Sequence, residues 1–149
     1  MFRKMVKDDV AQLLLIEQSV QGAPWSEDTF KAVFEMAYDG WVFEQNDRVA
    51  GYIVLALQAE ECHILNLCVA REFQRQGLGR RLLEYGLQEA KRRNLGIAYL
   101  EVRRSNSRAI ALYRKMKFLM IGERKDYYQT VSGQEDALIF ALSLKQNIL

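Results

Sequence analysis

At 149 residues, half of them hydrophobic and 27% charged, the chain is long enough for one buried core. It has no apolar run near the roughly 18 residues that a membrane span needs. The opening MFRKMVKDDV has neither an apolar stretch nor a small-residue cleavage site, which argues against a secretory signal and for a cytoplasmic protein. Cys62, Cys68 and the single histidine, His63, offer too few ligands at the wrong spacing for a metal; they fit two reduced, packed thiols and a strand histidine. The net charge of +2 conceals a segregation, since residues 1–70 carry 5 Lys or Arg against 11 Asp or Glu while residues 71–108 carry 10 against 4. Such blocks fit one part that meets an anion and another that faces a cation, or else ordinary solvated faces.

In chain order, residues 8–20 put apolar side chains at 10, 13, 14 and 16 behind Asp8 and Asp9, which predicts a helix capped by that acidic pair. After Gly22-Ala23-Pro24-Trp25, Ser26 is placed to cap a second helix reaching about Tyr38, with Phe30, Val33, Phe34 and Ala37 on one face. Between 41 and 57, two β-rich runs flank Asn46-Asp47-Arg48 and predict a hairpin. Residues 62–70, CHILNLCVA, predict a third strand. Leu82, Leu83, Leu87 and Ala90 then recur at helical spacing over 79–93, with a left-handed cap near Asn94-Leu95-Gly96. A strand over 97–103 and a helix over 105–116, capped by Ser105 or Asn106, follow. Strand, helix, strand in that order implies a parallel pair with a right-handed crossover. FLMIGERKDYY and EDALIFALSL, separated by QTVSG, close the chain as an antiparallel pair. The fold class is α/β: a mixed, mostly antiparallel sheet with a central parallel pair and about four helices, in one domain.

The basic block contains Gln74-Arg75-Gln76-Gly77-Leu78-Gly79-Arg80, between a predicted strand and a predicted helix. The N–H groups that open a helix lack intrahelical partners and lie at the positive end of its dipole, so this turn suits an anion. Gly77 and Gly79 allow close approach and dihedrals that a Cβ would penalise, and Arg75 and Arg80 add charge. Alone, a GxG is more often only a turn. The pattern is neither GxxxxGK[ST] nor GxGxxG with a distant acid.

This stretch resembles the [QR]xxGx[GA] loop of the GNAT N-acetyltransferase superfamily, and the element order resembles its fold throughout. PWSEDTF at 24–30, FQRQGLGRRLLE at 73–84, LEVRRSNSRAIALY at 100–113, and Tyr127-Tyr128 followed by GQEDALIFAL at 133–142 resemble the RimI type. That type modifies the N-terminal alanine of a small-subunit ribosomal protein. The resemblance implies acetyl-CoA as co-substrate, held by Arg75, Gln76, Gly77, Leu78, Gly79 and Arg80, by backbone groups of Leu67, Cys68 and Val69, and by Asn106. It implies Glu101 as general base, Tyr113 as general acid, and Trp25, Tyr127 and Tyr128 as lining of a peptide groove. Two positions depart from the pattern: Lys117 stands where Gly is common, at a cost of roughly 1 kcal/mol if left-handed, and Gln129 follows the tyrosine pair where Pro is common, implying a more mobile loop.

Each role has a plainer alternative. Glu101 could be an exposed strand-end carboxylate paired with Arg103, Tyr113 a core tyrosine bonded to a carbonyl, and Asn106 only a cap. As a base near neutrality, a carboxyl of ordinary pKa about 4.3 would need burial or a water. The expected partner is the N-terminal peptide of a ribosomal protein, with no membrane, no direct nucleic acid, and a monomer or weak dimer. Other acceptors on the same fold are a small amine, a lysine side chain or an aminoacyl-tRNA, the last disfavoured by the acidic N-terminal half. A non-catalytic acyl-CoA-binding module would need neither Glu101 nor Tyr113.

Overall fold

The computed structural model describes residues 1–145. Seven strands form a sheet in the order β1-β2-β3-β4-β5-β7-β6, with β1 at Phe2–Lys4, β2 at Asp39–Gln45, β3 at Arg48–Gln58, β4 at Glu61–Val69, β5 at Ile97–Arg103, β6 at Leu119–Thr130 and β7 at Gly133–Ser143. The helices are α1 at Val10–Val20, α2 at Glu27–Glu35, α3 at Leu78–Arg92 and α4 at Ser107–Lys115. β4 and β5 run parallel, and β1–β2, β2–β3, β5–β7 and β7–β6 run antiparallel, which is the mixed arrangement expected. By its contacts the chain divides into two compact units, Met1–Ala56 with Leu65–Gly86, and Leu57–Ile64 with the residues from Leu87 on.

In the first unit, Asn46 and Asp47 both take positive φ, 55° and 59°, the combination that matches a two-residue hairpin to strand twist. β3 is buried from Val49 to Leu55, hence its unbroken apolar run rather than alternation. β1 carries no legible strand pattern; Phe2 stacks on Tyr85 with ring centroids 4.3 Å apart and meets Phe43 edge-on, so aromatic packing supports three residues too short to show a period. The predicted Asp cap of α1 does not form. Asp9 instead takes both guanidinium nitrogens of Arg3, at 2.9 Å each, and the Val6 N–H at 2.8 Å. Burial pushes the Asp9 carboxyl up, but those donors more than offset it and the net is below the ordinary value. Ser26 does cap α2, accepting from Thr29 N. That helix stops at Glu35 because Ala37, expected on its apolar face, is exposed with φ 55°.

In the second unit β4 and β5 pair from Glu61–Ile97 to Ile64–Leu100, and β5 pairs with β7 along its whole length. Asn106 caps α4, accepting from Ala109 N at 3.2 Å. Lys117 does sit left-handed, at φ 76°. The loop expected at QTVSG is shorter than it reads, because Gln129 pairs with Gln134 and Thr130 with Gly133. Gln129 is therefore a strand residue, and the mobile loop inferred from it is replaced by a two-residue turn. Leu82, Leu83, Leu87 and Ala90 form the buried stripe of α3, and Asn94 ends it at φ 60°.

Candidate active site

The first unit holds the glycine turn. After Val69 the chain makes a short 3-10 turn at Arg71–Phe73 that buries Phe73. The Gln74 side chain folds back to donate to Val69 O at 3.0 Å. Arg75 and Gly77 then take φ 64° and 79°, and Arg81 N closes the first bond of α3 on Gly77 O at 3.1 Å. The N–H groups ahead of Arg81 are left without intrahelical acceptors. Both glycines were expected to need unusual dihedrals. Only Gly77 does; Gly79 is an ordinary residue of α3, and Arg75 occupies the second left-handed position. A Cβ on Gly77 would meet nothing within 4 Å, so the backbone faces open space. Leu78 buries its side chain in the core, while Arg75, Gln76 and Arg80 are exposed, Arg80 pairing with Glu84. An open loop, outward N–H groups and flanking guanidiniums fit a diphosphate such as that of acetyl-CoA.

β4 enters this turn with Cys68 buried and Leu67 and Val69 half-buried. Burial pushes the Cys68 thiol up to about 12, with the nearby Tyr52 hydroxyl opposing the rise and the Glu17 carboxylate adding to it. It is a packed hydrophobe, as expected, and Cys62 is likewise a buried thiol outside any disulfide. Leu67 O accepts from Gln21 Nε2 at 3.3 Å. That glutamine also bonds Asn66 Oδ1, and Asn66 Nδ2 donates to Glu17 Oε1 at 2.9 Å. Glu17, 1% exposed, takes Tyr52 Oη at 2.6 Å on the same oxygen and the Trp25 backbone N–H at 2.9 Å on Oε2. Its neighbours are donors, so a helix position that reads as solvated is the anchor of the α1–α2 connection. Trp25 is half-buried, edge-on to Phe30.

The second unit holds Glu101, with its side chain 8% exposed. Arg103, its partner in the plainer alternative, pairs instead with Glu135. Glu101 Oε2 lies 2.6 Å from His63 Nε2, and Arg124 Nε is 3.8 Å from Oε1. The His63 ring stacks on Tyr99 at 4.3 Å and 13°. By its sequence His63 is a plain strand residue; alternation puts it on one face of β4, but only the parallel register with β5 brings it to Glu101. Tyr113 is buried against the rings of Phe118 and Phe140, and burial pushes its phenol up. Among the described residues its hydroxyl has no hydrogen-bond partner, so it is not the carbonyl-bonded core tyrosine. Tyr127 and Tyr128 belong to β6, the strand expected over FLMIGERKDYY, and lie at an irregularity between Arg124 and Tyr128 where Asp126 takes φ 52°. Tyr127 is 50% exposed and edge-on to Tyr128. Burial first, then electrostatic interaction with Glu101, Tyr127 and Tyr113, pushes the Tyr128 phenol up, so Tyr128 lies within electrostatic reach of both candidate proton carriers. A cavity of about 540 Å³ lies elsewhere, lined by Val10, Ala11, Leu14 and Phe34 with charged residues such as Lys7 and Glu35; none of the candidate residues lines it.

The first unit thus presents a strand entering a left-handed glycine turn at a helix N-terminus, and the second a buried carboxylate on β5 with a phenol on the next helix, each of them a feature that an acyltransferase would use. The chain belongs to the acetyltransferase (GNAT) family, whose model matches residues 8–118. It is 40% identical over 129 residues to the ribosomal protein bS18-alanine N-acetyltransferase of Escherichia coli (strain K12), covering 87% of each chain. It is 32% identical over 145 residues to the protein of that name from Haemophilus ducreyi, covering 97% of this chain and 100% of the other. The crystal structure of the ribosomal-protein-S18-alanine N-acetyltransferase from Escherichia coli matches it with a TM-score of 0.90 at 35% identity, over 100% of this chain and 98% of that one.

Proposed function

We propose that this chain, acting as one catalytic domain in the cytoplasm, transfers the acetyl group of acetyl-CoA to the N-terminal alanine amine of ribosomal protein bS18. The observation that carries the reading is the presence, within one unit, of a buried carboxylate, Glu101, and a buried phenol, Tyr113, whose hydroxyl has no hydrogen-bond partner among the described residues. The acceptor is drawn from the names of the relatives, and the family match, which includes residues of both units, supports treating the chain as one domain. No described helix is long and apolar enough to cross a membrane.

When bound, acetyl-CoA supplies an acetyl group activated as a thioester. Arg75, Gln76, Gly77, Gly79 and Arg80, with the backbone of Leu78, would hold its diphosphate, and the backbone of Leu67, Cys68 and Val69 its pantetheine arm. Asn106 would reach the cofactor while capping α4. Glu101 takes a proton from the acceptor ammonium and frees the nitrogen lone pair; Tyr113 Oη holds the proton that the leaving sulfur requires. Burial keeps that phenol protonated, which suits an acid. Trp25, Tyr127 and Tyr128 would contact the acceptor peptide.

An α-amine has an ordinary pKa of about 7.7–8.0 against about 10.4 for lysine, so near pH 7 roughly a tenth of the first is neutral and under a thousandth of the second. Transfer should therefore favour the N-terminus. The test is mass spectrometry on a peptide that begins with alanine and carries an internal lysine, beside a copy with its N-terminus blocked. Acetylation at the alanine of the free peptide alone is expected; lysine acetylation of the blocked copy at the free peptide's overall rate would move the acceptor to a lysine side chain.

A further inference from the structure

His63 has no part in the reaction as derived so far, yet it makes the shortest side-chain contact of Glu101. At 2.6 Å, Nε2 and Oε2 cannot face each other with two lone pairs, so a proton lies between them. The imidazole is itself held: its ring lies flat on Tyr99 at 4.3 Å, and its side chain is 25% exposed against 8% for Glu101. Among the described residues Nδ1 has no hydrogen-bond partner. Among the described residues, the other titratable and charged groups around the pair include Tyr99 on β5, Arg124 and Tyr128 on β6, and Glu61 and Cys62 on its own strand, near Tyr99. Arg124 is exposed, and its 3.8 Å separation from Oε1 is too long for a hydrogen bond.

We propose that His63 is a positioning residue for the acetyl-transfer base: its Nε2–H occupies Oε2 of Glu101 and leaves Oε1 as the oxygen that takes the acceptor's proton. The proposal rests on the reading of Glu101 as the base. In the productive state Glu101 is a carboxylate and His63 is neutral, with its proton on Nε2 and Nδ1 bare. An N–H bond of the acceptor ammonium breaks, an O–H bond forms at Oε1, the pair on nitrogen becomes available for attack, and no electron changes hands. A second proton, taken by Nδ1, turns the ring into an imidazolium. The pair then goes from a net charge of −1 to 0, and a carboxylate bonded to a cation is a weaker base. His63 thus makes the base sensitive to pH through a group that the acceptor never touches.

The test uses the untagged protein, because His63 is the only histidine of the 149-residue chain and a ¹⁵N-imidazole NMR spectrum then reports on it alone. His63→Phe keeps a ring to stack on Tyr99 and removes Nε2; His63→Gln keeps a donor for Oε2 and cannot titrate. We expect the single-turnover rate constant of His63→Phe to fall about tenfold with both substrates' KM within about twofold, the size typical of a lost supporting hydrogen bond. We expect His63→Gln to recover to within about threefold of wild type. The acid-side fall of the wild-type rate should follow the NMR titration of His63 and be absent at that pH in His63→Gln. The high-pH spectrum should show the Nε2–H tautomer, and Glu101→Gln should change it. Wild-type turnover by His63→Phe with a slow Glu101→Gln overturns this inference alone, as does an unchanged acid limb in His63→Gln. Wild-type turnover by Glu101→Gln overturns the base reading and this inference with it.

Discussion

Gly77 separates backbone strain from ligand exclusion, because a methyl group there meets no protein atom within 4 Å. Gly77→Ala therefore carries only the conformational cost of an L-residue at φ 79°, about 1 kcal/mol. For a chain of this length that corresponds to a Tm lower by about 2–4 °C. The same methyl stands in the open space before the N–H groups of α3, where a diphosphate oxygen must come within about 3 Å of its donors. We expect the Kd for acetyl-CoA to rise tenfold or more, about 1.4 kcal/mol of binding. Lys117 provides the control, since it occupies φ 76° and Lys117→Gly relieves a strain of similar size. The double variant should regain the wild-type Tm and keep the weakened Kd. Thermal melts and calorimetric titration with acetyl-CoA measure the two quantities separately. An unchanged Kd in Gly77→Ala, or a Kd restored along with Tm by Lys117→Gly, would refute the role of the open turn as the anion seat.

Tyr113→Phe should lower kcat by about 10²-fold where chemistry limits the rate, with no loss of Tm, because the hydroxyl has no partner among the described residues. Since burial moves the Tyr113 phenol above its ordinary value, kcat should show no loss from its ionisation below about pH 10. A thiol pushed up to about 12 is not a thiolate at pH 8, so iodoacetamide should label Cys68 only after denaturation, read by peptide mass spectrometry; native labelling would contradict its burial. The depressed carboxyl of Asp9 adds stability that is full above the unfolded value of about 3.9 and lost as pH falls through the lower folded value. Asp9→Asn should accordingly lower Tm at pH 7, with the gap to wild type closing below about pH 3.9; a gap independent of pH would rule out the ion pair with Arg3 as its source.

What could be read in advance was what is encoded locally. The α3 stripe, the Ser26 and Asn106 caps, the Asn46-Asp47 turn and the left-handed Lys117 each depend on neighbours within a few residues, and each appears where the pattern puts it. Misplaced features depend on distant partners. Asp9 has an N-cap's chemistry, but Arg3, fixed by the pairing of β1 with β2, outbids the helix N–H groups for it. Gln129 reads as loop because its pairing with Gln134 depends on the register of β6 against β7. His63 and Glu101 are 38 positions apart, and nothing in either strand's alternation reveals that the parallel ladder brings them within a hydrogen bond.

Glu17 gives the α1–α2 connection an uncommon form of heritability. Trp25 hangs by its backbone N–H from a carboxylate that is also shared by Tyr52 and Asn66, residues on two strands far away in the chain. A drift at any one of the three leaves a buried polar group orphaned, at about 1–3 kcal/mol, so positions 17, 52 and 66 should change together or not at all. Anyone who grafts residues 21–26 from another acetyltransferase to alter the acceptor would be moving a segment whose anchor stays behind. The exchange should succeed only where the donor's counterparts of these three side chains travel with it.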